Sequence, residues 1–204
     1  MDEFRSRGNE DLRPETALNK EVGFDLGSKK KNIILTVYHL NVYDMIVWQP
    51  ENDIWTPNNV QEVLSRGIEI STNIIINKSS LNGKYSYVNS ASQKPSTDLD
   101  FSVGRQLRYT PKHKGVVIFT HKHENTSISF TTLYTGEVVT SYSLNAIKTL
   151  DSFILMDLSL NHIFSDFPIK IQAKIKNLMN TFYVTYENYP NPGREYLINM
   201  SLQI

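Results

Sequence analysis

Residues 111–123, PKHKGVVIFTHKH, set two basic, histidine-bearing clusters, Lys112-His113-Lys114 and His121-Lys122-His123, on either side of an apolar run. Three kinds of chemistry use such groups. A strand would point His121 and His123 to one side, a spacing able to hold a transition metal if His113 supplied a third nitrogen. Lys112, Lys114 and Lys122 would crowd that dication with like charge, and Glu124 is the only carboxylate nearby, so no metal is expected. General acid–base catalysis needs a nucleophile or carboxylate partner, and the chain has no phosphate-cradling glycine loop, no Gly-x-Ser-x-Gly elbow and no His-Glu-x-x-His. The close carboxylate pair Asp98 and Asp100 falls in a polar loop. The chain is therefore read as a non-enzyme with no catalytic residue, no cofactor and no small-molecule substrate. The remaining use is electrostatic: Val116 to Phe119 anchor a strand whose two ends present positive charge to phosphate or lipid headgroups. With Arg105, Arg108 and the run Lys29, Lys30, Lys31, the residues Lys112, His113, Lys114, His121, Lys122 and His123 form the predicted anion-binding set.

The overall charge balances, with 21 basic and 21 acidic residues, but its distribution is uneven. Residues 32–72 carry −4, whereas residues 101–123 carry +5 without a single acid. Separated on the surface, these stretches suit an anionic partner and head-to-tail self-association. There is no cysteine, so disulfides and thiolate metal sites are excluded and a reducing, intracellular setting is the default. The first residues lack the order of a secretory signal, and the longest apolar stretches, such as SFILMDLSL at 152–160, fall far short of the roughly 20 residues a spanning helix requires.

These groups need a scaffold. Residues 1–31 mix seven basic with seven acidic residues and read as a flexible charged tail. Residues 32–204 read as one compact domain, β-rich α+β, of mostly antiparallel strands with two short helices. Alternation predicts strands over 32–49 (one strand, or two broken near Asn41 to Asp44), 68–77, 85–89, 101–109, 115–121, 126–134, 137–144 and 152–160, with closing strands at 182–189 and 195–204 around a Pro190-Asn191-Pro192-Gly193 turn, and a turn at Asn82-Gly83. The first helix is expected at Thr56-Pro57, with Val60, Val63 and Leu64 on one face and Gly67 as its stop. The second is expected after Pro168, where Ile171, Ile175, Leu178 and Phe182 form a stripe. Tyr43 to Ile46 has the form of a sorting signal but falls within a strand.

The stretches IILTVYHLNV with VQEVL behind it, and SFILMDLSLNHIFSDF with the Ile171 to Phe182 helix behind it, resemble a rhabdovirus matrix protein in element order. The resemblance implies a viral structural protein of the virion that self-associates as a homo-oligomer and bridges nucleocapsid or RNA to an anionic membrane. It would be intracellular, in host cytoplasm or virion, and peripheral to the membrane. Neither Pro-Pro-x-Tyr nor Pro-Thr-Ala-Pro is present, as in a member that does not bud by that route. A viral movement protein or jelly-roll capsid subunit binding nucleic acid, and a cellular β-sandwich interaction module, are the alternatives.

Overall fold

The computed structural model describes residues 5–51, 54–95, 101–144 and 146–202. Among these there is no helix. The strands are β1 (Arg5–Ser6), β2 (Thr16–Ser28), β3 (Lys31–Glu51), β4 (Ile54–Ile76), β5 (Ser79–Ser92), β6 (His113–His123) and β7 (Thr126–Thr135). They continue with β8 (Val138–Tyr142), β9 (Ile147–Leu150), β10 (Phe153–Ile163), β11 (Ile169–Lys176), β12 (Val184–Tyr186), β13 (Tyr189–Pro190) and β14 (Glu195–Leu202). One ten-stranded sheet runs β14-β11-β10-β7-β6-β5-β4-β3-β2, with β1 alongside β4; β8–β9 and β12–β13 form separate two-stranded sheets. Every pairing along the main path is antiparallel, so the chain meanders up and down.

The α+β expectation is thus corrected to an all-strand sheet. The segment from Thr56 to Gly67 continues β4, with Pro57 opposite Trp48 and Gly67 opposite Tyr38. The second expected helix is β11, because Ile171 and Ile175 are four residues apart and a spacing of four also keeps side chains on one face of a strand. The flexible tail of that reading is largely β2, whose Thr16 to Ser28 pair with Tyr43 back to Lys31. The turn expected at Asn82-Gly83 lies instead at Asn77-Lys78, where Asn77 takes a left-handed φ of 51°. The strand expected over 101–109 is loop. Asp98 and Asp100 lie outside the described residues.

Nor is the domain compact. The chain exposes 14525 Å² for a mass of 23.5 kDa, against roughly 9,800 Å² for a water-soluble monomer of that mass. Val63 is the one fully buried apolar side chain among the described residues, while Phe24, Leu26, Phe119, Phe130 and Ile198 stand open. Among the described residues nothing packs over the face that carries these side chains.

Register shows why. Across β2, β3, β4 and β5, Phe24 faces Leu35, Leu35 faces Ile70 and Ile70 faces Tyr85; across β6, β7, β10 and β11, Phe119 faces Phe130, Phe130 faces Leu158 and Leu158 faces Ile175. Directly paired residues share a face, so these rows form one continuous apolar face. The intervening residues form a polar face: Glu21 and Asp25 on β2, Glu69 and Ser71 on β4, Lys84 and Ser86 on β5, Ser127, Ser129 and Thr131 on β7, Asp157 on β10, Lys170, Gln172 and Lys174 on β11.

The connections are equally sorted. Those after β2, β4, β6 and β10 are short and gather at one end of the sheet; at the other, long loops follow β5, β7 and β11, while β3 and β4 run on to Glu51 and Ile54. Lys31 beside the first turn is opposite Ile74, yet β4 runs on to Ile76; Ser79 beside the second turn is opposite His121, yet β6 runs on to His123. A slip of two residues for every two strands corresponds to a strand tilt of about 35°.

Candidate functional site: a two-faced sheet with a loop-end pocket

The apolar face is bounded at both ends. On β3 the apolar Ile33, Leu35 and Val37 lie between Lys31 and His39; on β6 Gly115, Val117 and Phe119 lie between His113 and His121. Eight residues separate the members of each pair, roughly 26 Å along the strand and about 22 Å along the normal at that tilt. The outward apolar band of a membrane barrel is about 25 Å tall. All five histidines lie on this face, and between its two rims it carries no carboxylate among the described residues. At the loop end Lys20 pairs with His39 and His39 with Arg66, and after allowance for tilt the same level continues through Tyr87, His113 and Tyr134. Tyr87 and His113 touch, with ring centroids 5.1 Å apart. At the turn end the rim holds Lys31, His121 and His162.

Above the polar face the long loops interlock. Tyr109 donates its backbone N–H to Val139 (2.8 Å) and stacks on Tyr186 with centroids 4.7 Å apart; Tyr142 donates its hydroxyl to the Gln106 carbonyl (2.7 Å) while Arg105 lies over its ring at 5.3 Å. Gln106 is buried, accepting from the Ser90 N–H and donating from Nε2 to the Thr110 carbonyl, which fixes the β5–β6 loop to the sheet. Thr140 donates to Glu187 (2.9 Å), tying the β7–β10 loop to the β11–β14 loop. The start of that last loop is held from below: Asp157 accepts from the Asn177 N–H (3.0 Å) and pairs with Lys174 (3.0 Å). Burial raises the pKa of Tyr142, opposed by Arg105; burial and then Glu187 raise that of Tyr109.

Beneath these contacts is a pocket of about 390 Å³, lined by Tyr109, Lys114, Asp151, Phe153 and Tyr183 among others. Phe153 and Tyr183 tilt against each other at 4.8 Å. A second depression of about 390 Å³ continues along the polar face past Thr36, Glu69, Ser71 and Lys84, again with Lys114 on its wall. Flat aromatic walls with one carboxylate and one ammonium suit a sizeable polar-edged small molecule.

The predicted anion-binding residues are spread across this frame and not gathered. Lys29 and Lys30 form the β2–β3 turn and Lys31 begins β3 on the apolar face. Arg105 and Arg108 are in the loop at the opposite end, and Lys112 precedes β6 there, its carbonyl accepting from the Val88 N–H. Along β6, His113, His121 and His123 face the apolar side, with His113 Nδ1 2.7 Å from Tyr85 Oη and His121 Nδ1 2.9 Å from Ser79 Oγ. Lys114 and Lys122 face the polar side, eight residues or roughly 26 Å apart. No cluster of three metal-binding side chains occurs among the described residues. Tyr183, Tyr186 and Tyr189, read as one closing strand ahead of a Pro190-Asn191-Pro192-Gly193 turn, lie in the β11–β14 connection, where the strand is broken into β12 and β13 around Glu187-Asn188.

A family model described as "TonB dependent receptor-like, beta-barrel" matches residues 2–178. The vitamin B12 transporter BtuB of Vibrio vulnificus (strain CMCP6) is 26% identical over 199 residues, covering 96% of this chain and 31% of that protein. The protein of the same name from Photobacterium profundum is 25% identical over 195 residues, covering 93% and 30%. Among solved structures, the siderophore receptor PirA from Acinetobacter baumannii superposes with a TM-score of 0.74 at 19% identity, covering 96% of this chain and 32% of that one. The FrpB iron transporter from Neisseria meningitidis gives 0.73 at 13%, covering 96% and 32%. The chain spans about a third of the length of these relatives.

These matches overturn the rhabdovirus matrix resemblance, which rested on element order and on two helices that are strands. With it go the viral readings as matrix, movement or capsid protein of a virion, and the partners inferred from them: a homo-oligomer, a nucleocapsid or RNA, and no small-molecule substrate. The intracellular, membrane-peripheral location without a transmembrane segment is overturned as well, because barrels of this kind are integral to the outer membrane and cross it with strands.

Proposed function

The chain belongs to the TonB-dependent receptor-like β-barrel family, and from that premise we propose that it forms part of the wall of an outer-membrane transporter for a small ligand of the vitamin or metal-chelate kind. It is a receptor-type protein and not an enzyme. The observation that carries the proposal is the sorting of side chains: an apolar face about 22 Å tall between cationic and aromatic rims, backed by a polar face. Such a sheet is stable only with lipid on one side and an aqueous or protein-filled lumen on the other. Hydrocarbon cannot satisfy the free backbone groups of the edge strands β2 and β14, so the membrane form requires further strands to close the barrel. With tight turns periplasmic and long loops outward, the pocket under Tyr109 and Tyr183 faces incoming ligand, and the polar depression past Lys84 leads inward along the wall.

Equilibrium binding of cobalamin, ferric citrate and a ferric catecholate to the membrane-inserted protein tests this reading. One of them is expected to bind, with affinity lowered about tenfold by Tyr183→Ala, the effect of losing one aromatic wall. Binding unaffected by Tyr183→Ala and Tyr109→Ala would remove the pocket from the transport path.

A further inference from the structure

The geometry points to a binding site for a phosphate-bearing membrane lipid on the outside of the sheet, at the loop end of the apolar face, formed by Lys20, His39 and Arg66. The inference rests on the membrane-facing reading of that face. It goes beyond transport, because this surface is turned away from the polar side.

Three observations converge on it. Lys20 on β2, His39 on β3 and Arg66 on β4 are directly paired across neighbouring strands, so their side chains leave the same face in one row. Lys20 and Arg66 flank β3, about 10 Å apart at the backbone, and both side chains are long enough to converge on one anion. Neither has an ion-pair partner among the described residues, and the nearest strand acids, Glu21 and Glu69, point to the other face. The next row toward the membrane centre is Val22, Val37, Ile68 and Tyr87, followed by Phe24, Leu35 and Ile70: wholly apolar or aromatic and continuous with the cations above it. Between these rows is a shallow depression of about 600 Å³, with Lys20, His39, Arg66 and Asn89 at one side and Val22, Val37 and Ile68 at the other; Glu21 also lines it, although its register turns its side chain to the opposite face.

That is the shape of an amphiphile: acyl chains along the valine and isoleucine rows, a phosphate against ammonium and guanidinium, and Asn89 offering an amide to the rest of the headgroup. The guanidinium can grip two phosphate oxygens, the lysine neutralises a third, and burial against lipid strengthens both relative to water. A free anion would gain the charges without the apolar rows, so a lipid phosphate is the occupant this surface fits.

Native mass spectrometry of the detergent-purified protein titrated with phosphatidylglycerol tests the site, with phosphatidylcholine and inorganic phosphate as parallel arms. Phosphatidylglycerol should bind, and Lys20→Gln with Arg66→Gln together should weaken it by about thirtyfold, near fivefold for each cation. Lys84→Gln with Lys114→Gln, two cations of the polar face, should leave it unchanged. Equal loss in both double variants, or undiminished binding in the first, overturns the site; so does inorganic phosphate binding as tightly as the lipid. Heat-modifiable migration on gels reports folding and insertion separately: a failure of the membrane reading itself would appear there, in the unsubstituted protein, whatever the lipid titration shows.

Discussion

Phe130 lies at the middle of the proposed lipid-facing surface, and replacing it by arginine separates that reading from any other use of the face. On β7 it is four residues from Thr126 at the turn end and four from Tyr134 at the loop-end rim, roughly 13 Å from each. It pairs with Phe119 on one side and Leu158 on the other, so the new guanidinium would have no acid on its own face within reach. An arginine at the midplane of a barrel's lipid face costs about 2–4 kcal/mol, equivalent to a 30- to 900-fold fall in the folding equilibrium constant. The adjacent Thr131 faces the other way, between Ile118 and Asp157, where Asp157 can compensate an arginine. Urea unfolding of the protein in lipid bilayers, followed by tyrosine and tryptophan fluorescence, is therefore expected to show a loss of about 3 kcal/mol for Phe130→Arg and less than about 1 kcal/mol for Thr131→Arg. Equal costs, or a greater cost at Thr131, would refute the assignment of faces.

Other predictions concern single contacts. Gly67→Ala drives a Cβ into the Tyr38 ring, and should lower the unfolding free energy by about 1–3 kcal/mol; Tyr38→Ala in the same chain should recover part of it, giving a non-additive cycle by urea unfolding. Asp157→Ala removes both the Lys174 ion pair and the acceptor for the Asn177 N–H, and should cost about 1–3 kcal/mol and speed hydrogen exchange at Asn177. Raised tyrosine pKa values mean that the folded loops hold the phenol protons of Tyr109 and Tyr142 more tightly than the unfolded chain does, whose value is near 10.0. The stabilisation is full below pH 10.0 and lost as pH rises through the folded values, so loop hydrogen exchange should accelerate in alkali while the sheet stays protected.

The strands β6, β7 and β10 were legible because each is ten or eleven residues rich in β-branched, aromatic and other apolar side chains with a short connection at one end. β2 alternates just as regularly, Leu18, Val22, Phe24 and Leu26 against Asn19, Glu21 and Asp25, but its charges read as a solvated tail when the partner that makes one face polar and the other lipid-exposed is not in view. The helices were misplaced for local reasons: Thr56-Pro57 imitates a cap, and a spacing of four fits both periods. The membrane was missed for a general one. Half of each strand faces an aqueous lumen, so the mean hydropathy is −0.35, and a tilted strand crosses with about ten residues of which only five need be apolar. The basic stretch 105–122 was legible as charge but not as geometry, because alternation along β6 sends its histidines to one face and its lysines to the other.

The absence of cysteine allows the central claim to be tested residue by residue. Single cysteines placed in turn at 126–135 on β7, spin-labelled in the membrane-inserted protein, report contact with lipid through oxygen and contact with water through a nickel chelate. Oxygen contact should peak at Ile128, Phe130 and Thr132, and nickel contact at Ser127, Ser129 and Thr131, in a two-residue period of opposite phase. A flat profile, or the reverse phase, would contradict the account.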